Sequence, residues 1–275
     1  HERLVGSEMG IRDRIYYGLE FNPFEKGQPD IEISTNDFKE ALGRLNYLKD
    51  VRGIGLFTGR SGTGKTFIMK KFSETLNPGL YKVIYMPMST LTTIEFYREL
   101  SSQLGLEPQH KKIDNFRNIQ SYIKSTVDEK RIVPVIILDE AQFLKTDILN
   151  DLIMLLNFNF DSNNYVILIL SGTPVLNHTV NRAVHEALKQ RIVIQYETSG
   201  MNEKDIERYV VEKLKKAGRT QPLIMPDALK ALSNASQGSS RKLNNLLTHC
   251  LIIGAAREKM VIDNETVMEA ANEIG

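Results

Sequence analysis

The sequence predicts an α/β fold: a five-stranded parallel sheet with helices on both faces, followed by a small all-α domain. Three observations predict it. Five short runs rich in β-branched residues are separated from one another by helix-length segments, the pattern of parallel strands joined by crossover helices. A glycine-rich loop of the form GxxxxGK[ST] stands between the first run and a helical one. Beyond Met201 the strand signal fades and only helical periodicity remains.

Taken in order, residues 1–50 form an N-terminal segment containing Asn22-Pro23-Phe24, residues 51–199 the α/β core, and residues 200–275 the helical domain. Gly53 to Thr58 reads as a buried strand, and Phe67, Ile68, Phe72 and Leu76 recur at helical spacing until Asn77-Pro78-Gly79 stops them. Lys82 to Met86 gives the second strand, and Ile94–Leu104 and Phe116–Val127 give two amphipathic helices. Val133–Leu138, Tyr165–Leu170 and Ile192–Tyr196 supply the remaining strands. Ile206, Tyr209, Val210 and Leu214 mark one terminal helix, Ala228–Ser233 a second and Lys242–Ala256 a third, and Asp263 reads as the cap of a fourth.

With 275 residues, 41% of them hydrophobic and 25% charged, the chain holds enough apolar material for one large core or a core plus a small appended domain. Thirty-five basic against 34 acidic side chains leave a net charge of +1, so any nucleic-acid site has to be a local patch. Cys250 is the only cysteine, which excludes an internal disulfide and fits a reducing compartment; it reads as a packed small hydrophobe. Every apolar run is strand-sized, far short of the roughly 18–20 residues of a membrane span. No signal peptide is recognisable, and a cytoplasmic address is expected. His110, His178, His185 and His249 lack ligand spacing and read as surface or core residues.

Gly59-Arg-Ser-Gly-Thr-Gly64-Lys65-Thr66 is the segment with the most specific chemistry. Glycines let backbone N–H groups curl round phosphate oxygens, and the following helix N-terminus adds partial positive charge. Gly59, Ser61, Gly62, Thr63, Gly64, Lys65, Thr66 and Phe67 are therefore candidate nucleotide contacts, with Lys65 reaching the β and γ phosphates and Thr66 binding magnesium. A second signal closes the apolar run Val135-Ile-Ile-Leu, where Asp139 is placed to hold magnesium and Glu140 to polarise water. The same Asp could instead be a turn former or helix cap at a strand end. Adjacent acids favour hydrolysis over transfer to a small molecule. Tyr165–Leu170 runs into Ser171-Gly-Thr173-Pro174, where Thr173 or Ser171 can sense phosphate or orient water, or simply form a turn.

Together with Asn22-Pro23-Phe24, Asp139-Glu-Ala-Gln142, Gln190-Arg191-Ile192, Ala217-Gly218 and Gly238-Ser-Ser-Arg241-Lys-Leu-Asn244-Asn245, these motifs resemble the ExeA/TniB/TnsC branch of the AAA+ ATPases. The resemblance runs from about Gly18 to Ala271. It implies a P-loop NTPase of AAA+ type with a helical lid, using ATP and Mg2+. Arg191 resembles the finger that reaches a neighbouring subunit's γ-phosphate, and Arg241 looks like the lid arginine acting in cis. Asn22, Pro23 and Phe24 would lie against adenine, although Pro-Phe is equally a hydrophobic staple. Gly172-Thr173-Pro174 is similar to the transposition members, where secretion members carry Gly-Gln-Pro. Secretion members also continue into a membrane span, and the chain stops after the lid, so a mobile-element role is expected.

That role implies a homo-oligomer, a hexameric ring or helical filament, around double-stranded DNA, with a transposase and in some systems a target-selector protein as partners. By resemblance the DNA contacts are Thr93 at the start of the helix after the second strand, Lys111 and Lys112 in the loop His110-Lys-Lys-Ile113, and Lys145 just after Asp139-Glu-Ala-Gln142. Cations on phosphates give affinity without sequence preference, and a filament repeats them. The alternatives are a secretion or cell-envelope ATPase of the same branch and a monomeric P-loop kinase, for which Arg191 has no use.

Overall fold

The structure is a computed structural model, and it describes residues 14–27, 34–88, 90–158 and 164–274. Within those residues the elements alternate as α1 (Asn36–Val51), β1 (Gly53–Gly59), α2 (Lys65–Thr75), β2 (Tyr81–Pro87), α3 (Thr93–Leu104), α4 (Lys112–Asp128), β3 (Val133–Asp139), α5 (Thr146–Leu155), β4 (Ile167–Gly172), α6 (Val175–Val180), α7 (Glu186–Gln190) and β5 (Ile192–Thr198). Four helices follow: α8 (Glu203–Lys216), α9 (Pro226–Ser236), α10 (Ser240–Ala256) and α11 (Asn264–Ile274).

The five strands form one all-parallel sheet in the order β2-β3-β4-β1-β5. Every residue of β1, β3 and β4 is buried, because inner parallel strands are covered on both faces; this is why they read as unbroken apolar runs. On the edge, β5 alternates between half-buried and exposed positions up to buried Thr198. Leu56, Ile136, Leu138, Leu168 and Leu170 fill the core with Phe96, Leu100 and Leu104 of α3 and Ile148, Leu149 and Leu152 of α5. Each such side chain contributes about 1.5–3 kcal/mol by leaving water.

Two compact units emerge: residues 39–60 with 65–198, and residues up to Phe38 with 61–64 and 199 onward. The expected 1–50 segment therefore divides at Phe38. Leu48 of α1 lies against Gly55 of β1, which ties the rest of that helix to the sheet. In the second unit Tyr17, Leu19 and Phe24 pack with Ile206, Leu232, Leu247 and Val267. Asp263 caps α11 as expected, with Oδ1 accepting from Thr266 N at 2.9 Å and Thr266 Oγ1 at 2.7 Å. Cys250 is fully buried, and burial pushes its thiol up to about 12, as suits a packing residue. His185 is a buried core histidine whose Nδ1 faces Asn150 Oδ1 at 3.1 Å. Phe158, after α5, is also buried.

Candidate active site

In the sheet unit, the parallel register brings the chemistry to the C-terminal ends of adjacent strands. Leu138 pairs with Leu170, so Asp139 and Ser171 are neighbours one step further on. Asp139 is buried, and its carboxylate is fully engaged. Oδ2 accepts from Thr66 Oγ1 and from Tyr85 Oη, each at 2.8 Å, while Oδ1 accepts from Ser171 Oγ at 2.7 Å and Glu140 N at 3.0 Å. Four donors fix its rotamer in the low-dielectric interior, and a metal ion would take the place of one of them.

Pairing of Asp139 with Thr66 fits a magnesium site. Both are hard oxygen ligands 2.8 Å apart, and Mg2+ is held by one or two carboxylates together with substrate phosphates. When bound, the ion would neutralise charge developing on the transferred phosphoryl group. Ser171 spends its hydroxyl on Asp139 and sits inside β4 as a strand residue, which leaves Thr173, half-buried beyond the strand end, as the phosphate-sensing candidate of the two.

Glu140 stands on a left-handed backbone, φ 55° and ψ 36°, before one turn of 3-10 helix over Ala141–Phe143. The same left-handed conformation occurs at Arg52, Arg131, Gln237 and Glu258, so at Glu140 it serves to turn the chain from β3 into the 3-10 turn. Glu140 Oε2 accepts from Gln142 Nε2 at 2.6 Å. Lys65 is buried, and its Nζ donates to Gly59 O at 2.7 Å and Arg60 O at 3.1 Å. Phe67 lies beneath the Lys71 ammonium, 5.8 Å from the ring centroid.

Tyr85 is the side chain that the sequence reading missed. Tyr85 is 41% exposed, yet partial desolvation at its inner edge and the Asp139 carboxylate that it donates to raise its phenol above the ordinary value near 10, so it is a neutral donor at neutral pH. The signal was available in the strand period: Pro87 pairs with Asp139, and Tyr85 lies two residues back on the same face.

The helical unit contributes separately. It includes loop residues 61–64, where Gly62 has φ 82° and its carbonyl accepts from Ser240 N and Ser240 Oγ, both at 2.9 Å. A Cβ on Gly62 would come within 2.1 Å of Ser239 Oγ, so only glycine fits there. Arg241 Nη1 donates to Ser61 Oγ at 3.1 Å. Asn22 is buried and closes its own turn, accepting from Phe24 N at 3.0 Å and donating to Glu25 Oε1 at 3.1 Å. Phe24 is mostly core, yet its edge, with Arg241, Asn244, Asn245 and Thr248, lines a groove of about 830 Å3.

Arg191 is half-buried at the C-terminal end of α7, immediately before β5. Thr93 opens α3 behind the capping box of Thr92 and Glu95. Lys111 is the N-cap residue of α4, not a mid-loop residue, and Lys145 is the N-cap residue of α5. Buried Asn115 holds the turn carrying Lys111: it accepts from Gln109 N at 2.9 Å and Ser101 Oγ at 3.1 Å, and donates to Gln109 O and Lys111 O, both at 2.9 Å. Lys145 acts on Glu95 in the first turn of α3, where Arg98 is a second nearby cation. Lys112 does not join this set. As the first residue of α4 it pairs with Asp151 Oδ2 at 2.5 Å and lies 5.7 Å from the Tyr97 ring centroid, so its exposed ammonium already has an anionic partner.

Residues 48–180 match the family model described as an AAA domain. Among curated proteins, general secretion pathway protein A of Aeromonas hydrophila is 29% identical over 264 residues, covering 94% of this chain and 48% of its own. The chain thus spans about half the length of that curated relative. Among solved structures, Cdc6p of Pyrobaculum aerophilum gives a TM-score of 0.68 at 17% identity, over 92% of this chain and 70% of its own. The ORC1 protein of Aeropyrum pernix, solved in complex with DNA, gives 0.64 at 18% identity, over 92% and 68%. At such identities the structural likeness establishes the fold, which is the P-loop AAA+ arrangement with a C-terminal helical region. The site assembled on it is an ATPase site for ATP with Mg2+. No described helix is long and apolar enough to cross a membrane.

Proposed function

We propose that this AAA+ ATPase oligomerises on double-stranded DNA when ATP is bound, marks a target site and recruits a transposase. One observation carries the DNA part of the reading. Three of the four candidate contacts, Thr93, Lys111 and Lys145, occupy the N-terminal ends of α3, α4 and α5 in the sheet unit, and the two lysines form no ion pair among the described residues. Helix N-termini and unpaired ammonium groups both favour phosphate. Two similar folds were solved with DNA, the ORC1 protein of Aeropyrum pernix and Drosophila ORC, which supports the same direction. Gly172-Thr173-Pro174 supports the transposition branch.

Within a protomer, Lys65 and the loop hold the triphosphate, Asp139 and Thr66 take the metal, Thr173 reports the γ-phosphate, and Glu140 accepts the proton of the attacking water. Arg191 completes the site of the adjacent subunit in a ring or filament, so hydrolysis and assembly are coupled. Release from DNA follows hydrolysis. A target-selector protein is a further partner of the assembled state.

A second reading, a secretion or cell-envelope ATPase, is favoured by the 29% identity to general secretion pathway protein A. Duplex binding separates the two. Fluorescence anisotropy with a labelled duplex and a slowly hydrolysed ATP analogue should show nucleotide-dependent binding that weakens steeply with salt. It should be lost in the Lys111→Ala/Lys145→Ala double variant with ATP affinity intact, and electron microscopy should show ordered protein on DNA. Absence of nucleotide-dependent duplex binding by the parent chain removes the transposition reading and leaves the secretion one.

A further inference from the structure

We propose that Gln142 is a positioning residue that links the strand end at Thr173 to the Glu140 carboxylate, and that residue 172 is glycine to admit it; the proposal rests on the ATPase reading of this site. The Gln142 side-chain amide uses both of its ends. Nε2 donates to Glu140 Oε2 at 2.6 Å, and Oε1 accepts from Thr173 N at 3.0 Å. One planar amide therefore spans the group that polarises water and the backbone of the residue that reports the γ-phosphate. No described protein hydrogen bond other than that from Gln142 orients the Glu140 carboxylate.

The chemistry of the bridge selects its residue. One end must donate to a carboxylate and the other must accept from an N–H, which an amide does and a carboxylate or an ammonium does not. Glutamine at 142 has the reach from a 3-10 turn; Gly172 supplies the space. A Cβ built on Gly172 would lie 2.5 Å from Gln142 Oε1, 3.1 Å from Leu176 Cδ2 and 3.4 Å from Gln142 N, the first being the contact that must give way most. The backbone of Gly172 is ordinary extended strand, so its lack of a side chain, not its freedom, is what the site uses. Two residues from separate motifs, Asp139-Glu-Ala-Gln142 and Ser171-Gly-Thr173-Pro174, thus form one device. Displacement of Thr173 transmits to Glu140 through a rigid group, so the carboxylate is aimed when the phosphate side is in place.

Steady-state hydrolysis by the full chain tests this, with nucleotide affinity measured by a fluorescent ATP analogue. Gln142→Ala should lower kcat by roughly 10- to 100-fold, the worth of a hydrogen bond to a charged group, with KM and nucleotide affinity unchanged. Gly172→Ala should lower kcat similarly in the parent and by less than about twofold once Gln142 is Ala, because residues of one device are not additive. Gln142→Glu keeps the shape but sets a carboxylate in place of the amide donor against Glu140, so its kcat should fall at least as far as that of Gln142→Ala. A merely structural clamp would change the melting temperature and leave these kinetic signatures unmoved. Should Gly172→Ala fail to fold, the kcat of the two Gln142 variants decides. Unchanged kcat in Gln142→Ala, or an equal Gly172→Ala loss in both backgrounds, overturns the proposal while Lys65-dependent hydrolysis stands. A parent chain with no Lys65-dependent hydrolysis removes the ATPase reading and the proposal with it.

Discussion

Glu140→Gln separates chemistry from binding, and its size can be worked from the site. The substitution keeps volume and backbone: residue 140 stays at φ 55°, and one side-chain oxygen still accepts from Gln142. What changes is that the 2.6 Å bond becomes neutral, falling from about 1.5–3 to about 0.5–1.5 kcal/mol, and solvent at this exposed side chain reduces the difference further. Stability should therefore fall by no more than about 1 kcal/mol, or about 2–4 °C in melting temperature for a protein near this size. Turnover loses the group that receives the proton of water, an effect of about 10²–10⁴-fold. Phosphate release under saturating ATP should fall by that factor while the fluorescent analogue binds with unchanged affinity, and assembled, DNA-bound protein should accumulate. Phosphate release at the parent rate, with binding intact, would refute the assignment of Glu140.

Arg191→Ala should remove about 10³–10⁵ in turnover while each loop still binds ATP. Mixing it with Lys65→Ala protomers should restore hydrolysis, since an intact loop on one then meets an intact arginine on the other; a mixture as inactive as its components would show that Arg191 does not act across subunits. For Tyr85 the prediction concerns alkaline pH. Its folded-state pKa lies above the unfolded value near 10, so the contribution is complete below pH 10 and is lost as pH rises beyond it. Thermal melts should show stability declining above pH 10 less steeply in Tyr85→Phe than in the parent. Tyr97, raised by burial and Asp151, keeps part of the slope in both. Identical slopes would mean that the Tyr85–Asp139 bond does not persist in solution.

The sheet was legible because β1, β3 and β4 are buried on both faces and therefore spell continuous apolar runs with a glycine loop or acids at their ends. The extent of β4 was less so: Tyr165 and Val166 continue its apolar pattern, yet the ladder begins at Ile167 and runs on through Ser171 and Gly172. Hydropathy cannot see where a ladder ends when Ser171 inside it is buried by a bond to Asp139. Helix α1 carried its signal in Phe38, Ala41, Leu45 and Leu48, all buried at helical spacing, but lay in a segment read only for Asn22-Pro23-Phe24. Lys111 and Lys112 look alike in sequence. What separates them is Asp151, 39 positions later, which no local pattern pairs with Lys112. Gln142 and Gly172 stood inside quoted motifs without a role, because their contact joins the ends of two strands.

Register is what converts these strand ends into a site. Parallel pairing sets Pro87 against Asp139 and Leu138 against Leu170, so Tyr85, Asp139 and Ser171 converge although 86 positions separate the first from the last. Because strand side chains alternate with a period of two, a slip of one residue in β4 would turn Ser171 to the opposite face and bring Gly172 to its place. Asp139 Oδ1 would then lose its hydroxyl donor, and Gln142 would lose the gap through which it reaches Thr173. Burial opposes that slip strongly: six consecutive buried residues pack on both faces of β4, and shifting them would move branched side chains of different shape through a close-packed core. The catalytic geometry therefore draws its rigidity from the same aliphatic packing that made the strand visible in the sequence. Core substitutions in β4 that preserve volume, such as exchanges between Ile and Leu, should be tolerated by the fold before they are tolerated by the Asp139–Ser171 bond.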